Sequence, residues 1–193
     1  MTDNSPYSSA PVRDPSPQTG EIDGAIHRYA LRVFYEDTDA GGVVYHANYL
    51  AWFERARSDL LDMLGVDQRG AIDAGLGLYA VAEANLRYLA PARLGDAVVI
   101  DTWAEAIGRV SATLRQVARR GSVRLCEGTV KVGFISPEGR PRRQPEAWQR
   151  AFASLVPISA GAAPDLGAAA TSSKSGIAAA VLQSGTAGRE GQE

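Results

Sequence analysis

Cysteine is all but missing: Cys126 stands alone in 193 residues, so an intrachain disulfide is excluded. Its setting, Val123-Arg124-Leu125-Cys126-Glu127, reads as that of a small buried hydrophobe, the common fate of a free cysteine. Histidine is nearly as scarce, with His27 and His46 only. Two histidines and one cysteine fall short of a usual zinc ligand set, and no metal is expected. Lysine is confined to Lys131 and Lys174, so arginine carries the positive charge. An excess of either sign is also lacking. The formal net charge is −2, which gives no general pull towards nucleic acid or an anionic membrane. No apolar run approaches the ~20 residues that span a bilayer. The opening Met1-Thr2-Asp3-Asn4-Ser5-Pro6 lacks the basic-then-apolar order of a secretory signal. A cytoplasmic protein without a transmembrane segment is the expectation.

Hydrophobic residues make up 45% of the chain and charged residues 22%, a balance that suits one globular domain. Residues 1–24 are rich in Pro, Ser, Asp and Gly, and residues 158–193 in Ala, Gly, Ser and Thr. Neither end shows a hydrophobic period, and both read as disordered tails that bury too little to offset their ordering entropy. The folded unit is therefore expected over residues 25–157.

Within that unit, His27 to Tyr35 reads as a strand, with Tyr29, Leu31, Val33 and Tyr35 alternating against more polar neighbours. A loop holding Asp37, Asp39, Gly41 and Gly42 follows. A helix of roughly 16 residues comes next, with Asn48 as its expected cap. Leu50, Phe53, Ala56, Leu60, Leu61 and Leu64 form its stripe, and Gly65 its stop. Past Gly70, Gly75 and Gly77 the pattern turns to four strands: Leu78–Leu89, Ala97–Ile107, Arg109–Arg119 and Val123–Ile135. In Ala97–Ile107, Val99, Trp103 and Ile107 are candidates for one face. In Arg109–Arg119, Val110, Ala112 and Leu114 alternate with Ser111, Thr113 and Arg115. Strands joined by short turns favour an antiparallel sheet. One sheet and one apolar helix bury both faces only if the sheet wraps the helix. The fold class is thus α+β, with five antiparallel strands around a long central helix.

The loop and helix start carry the chemistry. Gly41 and Gly42 permit positive φ and close backbone approach, and the helix beyond them begins with N–H groups that have no intrahelical partner. A carboxylate at Asp39 beside such donors is equipped to attack a carbonyl or to activate water, while the donors stabilise the oxyanion. The competing role for Asp39 is an Asx turn. The run Phe34-Tyr35-Glu36-Asp37-Thr38-Asp39-Ala40-Gly41-Gly42-Val43-Val44-Tyr45-His46-Ala47-Asn48-Tyr49 resembles the active-site loop of the 4-hydroxybenzoyl-CoA thioesterase family, a hotdog-fold family. Glu54-Arg55-Ala56-Arg57-Ser58 and Tyr88-Leu89-Ala90-Pro91-Ala92-Arg93-Leu94-Gly95-Asp96 extend the likeness to its branch of acyl-CoA thioesterases associated with the Tol-Pal cell-envelope system.

The resemblance implies an enzyme that hydrolyses acyl-CoA, or an acyl carrier protein thioester, with no cofactor beyond the coenzyme A of the substrate. It makes Asp39 the catalytic carboxylate and the backbone N–H of His46 the main oxyanion donor. The His46 ring has two readings, a contact to water or thioester and a spectator at the helix entrance. Gly42, Val43 and Tyr45 are implied at the substrate, Tyr45 as a pocket wall. Asp37 reads as a structural partner of the loop. Glu54 reads as a salt-bridged helix residue, with a base role as the lesser alternative. Arg142 and Arg143, in the cluster after the last strand, are candidates for the phosphates of coenzyme A. A homodimer or homotetramer is implied. The alternatives are a hotdog hydratase or dehydratase, and a non-catalytic binding protein of the lipid or cell-envelope machinery.

Overall fold

The computed structural model describes residues 18–157; the two expected tails, apart from residues 18–24, lie outside them. Six strands and three helices follow in the order β1 (Glu21–Asp23), β2 (Ile26–Arg32), α1 (His46–Met63), α2 (Gln68–Asp73), β3 (Leu78–Tyr88), β4 (Ala97–Ile107), β5 (Ser111–Arg120), β6 (Val123–Ile135) and α3 (Glu146–Ala153). The strands form one sheet in the order β1-β2-β4-β5-β6-β3, antiparallel at every pairing.

The sheet has six strands where the sequence pattern predicts five. The addition, β1, lies in the stretch read as a tail and pairs with β2 through Ile22 and His27. Its attachment reaches the central helix. The backbone N–H of Gly20 and Nε2 of the fully buried His27 both meet Oδ2 of Asp59, at 2.9 and 2.7 Å. A Cβ at Gly20 would collide with the Arg28 carbonyl oxygen and fall 2.6 Å from His27 Nε2, so only glycine fits.

The expected first strand stops at Arg32, and Tyr35–Asp37 form a turn of 3-10 helix instead. Phe34 and Tyr35 are exposed there, at 59% and 81%, which removes the apolar face that would have continued the strand. The central helix starts two residues before the expected cap. Tyr45 is its N-cap and makes no side-chain capping bond. Asn48 lies inside the first turn and gives its amide Nδ2 to the carbonyl of Asp37 at 2.9 Å: a tertiary bond displaces the local cap. Gly65, with φ 69°, ends the helix as its position suggests.

The face of α1 turned to the sheet carries Tyr49, Trp52, Phe53, Ala56, Leu60 and Leu61. They pack against Val98 and Ile100 of β4, Ala118 and Leu114 of β5, and Leu125 of β6. Full burial of each large side chain stabilises the fold by roughly 1.5–3 kcal/mol. Leu50 is 42% exposed and stands on a flank of the helix, outside this face. On β4, the helix-facing residues are Val98, Ile100 and Ala104. Asp101 takes the opposite face, where it binds Arg119 and Arg28, so Val99 and Trp103 belong to that outer side. A bulge between Ala104 and Ala106 then returns Ile107 to the helix side. A sheet curled over one long helix is the hotdog arrangement. Among the described residues no helix is long and apolar enough to cross a membrane.

Candidate active site

The loop between β2 and α1 is held from three directions. Asp37, 8% exposed, accepts the Phe34 N–H through Oδ2 at 2.7 Å. Its carbonyl accepts both the Tyr45 N–H and the Asn48 side chain, each at 2.9 Å. Thr38 and Val44 form an isolated antiparallel bridge, and the Val44 N–H reaches the Ala92 carbonyl at 2.9 Å. Asp37 is thus the pin of the loop, the structural role expected of it.

Asp39 sits at the tip and is exposed. Its backbone closes a small loop, donating to the Val43 carbonyl at 2.9 Å and accepting from the Gly42 N–H at 3.0 Å. Oδ1 accepts the Gly41 N–H at 2.8 Å, so the Asx turn is present as well as the exposed carboxylate. One turn bond orients the side chain without consuming its acceptor capacity. Gly42 takes φ 70°, a left-handed conformation that costs a residue with a Cβ roughly 1–2 kcal/mol. Its carbonyl receives Nη1 of Arg93 at 3.3 Å.

The first turn of α1 follows directly. Because Tyr45 offers no side-chain cap, the leading N–H groups, beginning with His46, stay available to a developing negative charge, aided by the helix dipole. The His46 ring is exposed and lies among aromatics. Its centroid is 4.4 Å from that of Tyr45 and 6.2 Å from that of Tyr88. Tyr88 also approaches Tyr49 at 5.7 Å and donates its hydroxyl to the His46 carbonyl. Burial pushes the Tyr49 hydroxyl up to about 12 and raises that of Tyr88, so both phenols stay protonated near neutrality. Burial likewise pushes the Cys126 thiol up to about 12, which removes it as a nucleophile.

The structure therefore brings together Asp39, Gly42, Val43, Tyr45 and His46. It adds Tyr88 and Arg93, which spacing alone does not single out, although both lie in the segment that carries the resemblance. It does not bring in Arg142 and Arg143 from the same chain. Arg142 ties down the connection before β3 through the carbonyls of Gly75 and Leu76, at 3.0 and 2.7 Å, and Arg143 pairs with Glu146. That is the Leu78 end of β3, whereas His46 lies at the Tyr88 end, roughly 33 Å away at ~3.3 Å per residue.

Glu54 binds Nη2 of the buried Arg57 at 2.6 Å and the Ser58 hydroxyl at 3.1 Å. Arg57 passes the network to Gln116, and Gln116 to Thr102 and the Phe53 carbonyl. Glu54 is thus engaged in holding the helix, as its Glu-Arg spacing suggests. A small hollow open to solvent lies beside this network along the second half of α1 and contains none of the loop residues.

Residues 41–127 match the thioesterase superfamily, and Asp39 falls two residues before that stretch. An acyl-CoA thioester hydrolase, YbgC of Escherichia coli, is 37% identical over 124 residues, which are 63% of this chain and 92% of that one. The acyl-CoA thioesterase YbgC of Haemophilus influenzae is 36% identical over 107 residues, 55% of this chain and 79% of that one. Among solved structures, a probable thioesterase from Bartonella henselae superposes with a TM-score of 0.59 at 31% identity, over 62% of this chain and 99% of that one. A 1,4-dihydroxy-2-naphthoyl-CoA thioesterase from Synechocystis gives 0.63 at 22% identity, over 67% and 97%, a likeness of fold alone.

Proposed function

We propose that this chain, which belongs to the thioesterase superfamily, hydrolyses acyl-CoA thioesters to a free acid and coenzyme A, with Asp39 as the catalytic carboxylate. The observation that carries the reading is the exposed Asp39 side chain, oriented by the Gly41 N–H beside an uncapped helix N-terminus. The thioester carbonyl lies against the leading amides of α1, His46 first, which take the charge of the tetrahedral intermediate. Asp39 attacks the carbonyl carbon or removes a proton from the water that does. The C–S bond then breaks and the thiolate leaves, a good leaving group that needs little acid assistance. After direct attack, water hydrolyses the mixed anhydride left on Asp39 to release the acid and restore the carboxylate. On the other route the activated water itself becomes the new oxygen of the acid. Single turnover in oxygen-labelled water separates the two routes, since label in the Asp39 carboxylate marks direct attack. Gly42, Val43 and Tyr45 flank the thioester.

Assembly completes the reading. Val81 is 50% exposed on β3, a strand paired on one side only among the described residues, and a long unpaired edge is a template for a second copy. A two-fold axis through that edge pairs β3 with itself antiparallel. The Leu78 end of one copy then meets the Tyr88 end of the other. Arg142 of the partner subunit and Arg143 of the partner subunit would come to this chain's loop, where the phosphates of coenzyme A are expected. We take the unit as a homodimer, or a homotetramer built from it. Acceptance of acyl carrier protein thioesters and service to the Tol-Pal system rest on the likeness of the motif.

The test is thiol release from a series of saturated acyl-CoA substrates. Wild type is expected to turn over and Asp39→Asn to lose about 10²–10⁴-fold. Equal turnover in the variant would remove Asp39 from the mechanism. Release from a saturated chain, which has no double bond to hydrate, separates this reading from a hydratase, and any turnover separates it from a binding protein.

A further inference from the structure

The segment Asp39–Val43, which carries the carboxylate, has few ties to the rest of the chain. Its base is clamped by the bridge between Thr38 and Val44 and by the Val44 N–H on the Ala92 carbonyl. Inside that clamp the segment bonds to itself. The Asp39 N–H donates to the Val43 carbonyl, the Gly42 N–H to the Asp39 carbonyl and the Gly41 N–H to Asp39 Oδ1. Among the described residues, its only hydrogen bond from outside comes from Arg93, whose Nη1 donates to the Gly42 carbonyl at 3.3 Å. The Gly41 bond orients the carboxylate within the segment; it does not orient the segment towards the helix start. Two adjacent glycines leave this backbone unusually free, so a bond from outside selects one placement among several.

Arg93 suits that task because its own backbone is anchored. It lies in the connection between β3 and β4, where its N–H donates to Asp96 Oδ2 at 2.8 Å and its carbonyl accepts the Asp96 N–H at 3.1 Å. Nη1 of Arg120 meets the same Oδ2. The Gly95 N–H donates to the Val33 carbonyl at 3.0 Å, and the Val33 N–H to the Asp96 carbonyl at 2.9 Å. Burial alone would raise the Asp96 carboxyl, but the Arg93 N–H and the Arg120 guanidinium outweigh it and hold it below the usual carboxylate range. The anchor therefore stays ionised near neutrality. The same connection begins at Tyr88, which holds the His46 carbonyl. One short stretch of chain thus braces both the amide half and the carboxylate half of the site.

We infer that Arg93 is a positioning residue: it holds the Gly42 carbonyl so that the Asp39 carboxylate keeps its place relative to the start of α1. The inference rests on the thioesterase reading above. Arg93 acts through Asp39, so its loss slows the chemical step and leaves substrate affinity nearly unchanged.

The test is a double-mutant cycle on thiol release from acyl-CoA, with Arg93→Ala, Asp39→Asn and the two combined, and with Arg93→Lys beside them. Arg93→Ala is expected to lower kcat about tenfold, short of the ~10²-fold that a ~1 Å misplacement can cost, with KM within about twofold of wild type. Its Tm should stay within about 3 °C, as for an exposed side chain. Arg93→Lys recovers part of the loss, because an ammonium donor still reaches the carbonyl. In the Asp39→Asn background, the change at Arg93 should cost less than about twofold, since groups that act as a unit are not additive. A purely structural role would cost the same in both backgrounds.

Three results would overturn the inference and leave the thioesterase reading intact: an undiminished kcat in Arg93→Ala, a raised KM at unchanged kcat, or the full loss repeated in the Asp39→Asn background. A wild type that releases thiol from no acyl-CoA, or an Asp39→Asn as active as wild type, would remove that reading and this inference together.

Discussion

The hydroxyl of Tyr88, at the end of β3, donates to the carbonyl of His46, the first residue of α1, at 3.1 Å. This bond fixes the helix entrance, the proposed oxyanion site, against the end of the edge strand. Tyr88→Phe keeps the ring contacts to His46 and Tyr49 and removes only the hydrogen bond, worth about 1 kcal/mol. The expected result is a kcat lower by about fivefold, with KM changed less and Tm lower by about 2–4 °C. Steady-state kinetics and a thermal melt measure both.

Asp37 and Asp39 separate stability from chemistry. Asp37 is buried and bonded to the Phe34 N–H, so Asp37→Ala strands a backbone donor and costs about 1–3 kcal/mol. Asp39→Asn leaves the Gly41 bond an acceptor oxygen and is expected to keep the wild-type denaturation midpoint. Paired urea titrations and thiol-release rates should show Asp37→Ala losing mainly stability and Asp39→Asn only turnover.

The His46 ring is exposed and lies beside the rings of Tyr45 and Tyr88; its amide is the group at the helix start. His46→Ala keeps that amide and is expected to retain turnover within about tenfold of wild type, against the 10²–10⁴-fold loss at Asp39. Glu54→Gln, with its carboxylate already committed to Arg57 and Ser58, should behave similarly. A loss at Glu54 equal to that at Asp39 would make it the base.

On the outer face of the sheet, Glu127 is 3% exposed and meets Arg87, Arg115 and Arg124. Burial alone would raise its carboxyl, but the three guanidinium groups outweigh it and hold it below the usual glutamate range. A lowered folded value means stability that is complete above the ordinary glutamate value, near pH 4.3, and lost as pH falls through the folded one. Glu127→Gln should therefore melt below wild type at pH 7 and converge with it as pH falls through the lowered carboxyl value. Melts across that range check the sign.

Much of this arrangement is readable from residue order. The expected bounds of β4 and β6 coincide with the observed ones, because Gly and Pro punctuate both strands. The glycine loop, with its neighbours, points to Asp39. The start of α1 departs from expectation because Asn48 resembles a cap, and only the folded chain offers it the Asp37 carbonyl. β1 is too short for a period, and its hold depends on Asp59, far along the chain. α3 leaves a weak signal, Trp148, Phe152 and Leu155 at helical spacing, that composition near the expected tail obscures. Tyr88 reaches the site only through the pairing of β3 with β6, which no local pattern encodes.

The sheet order also dictates when the site comes into being. β4, β5 and β6 are neighbours in sequence and in space, so their hairpins close over short loops. β2 pairs with β4 across the whole of α1, α2 and β3, and closure over so long a span is slow. The Asp39 loop lies inside that span. During refolding, strand and helix signals should therefore recover before thioesterase activity, which waits for the last and most distant pairing to form.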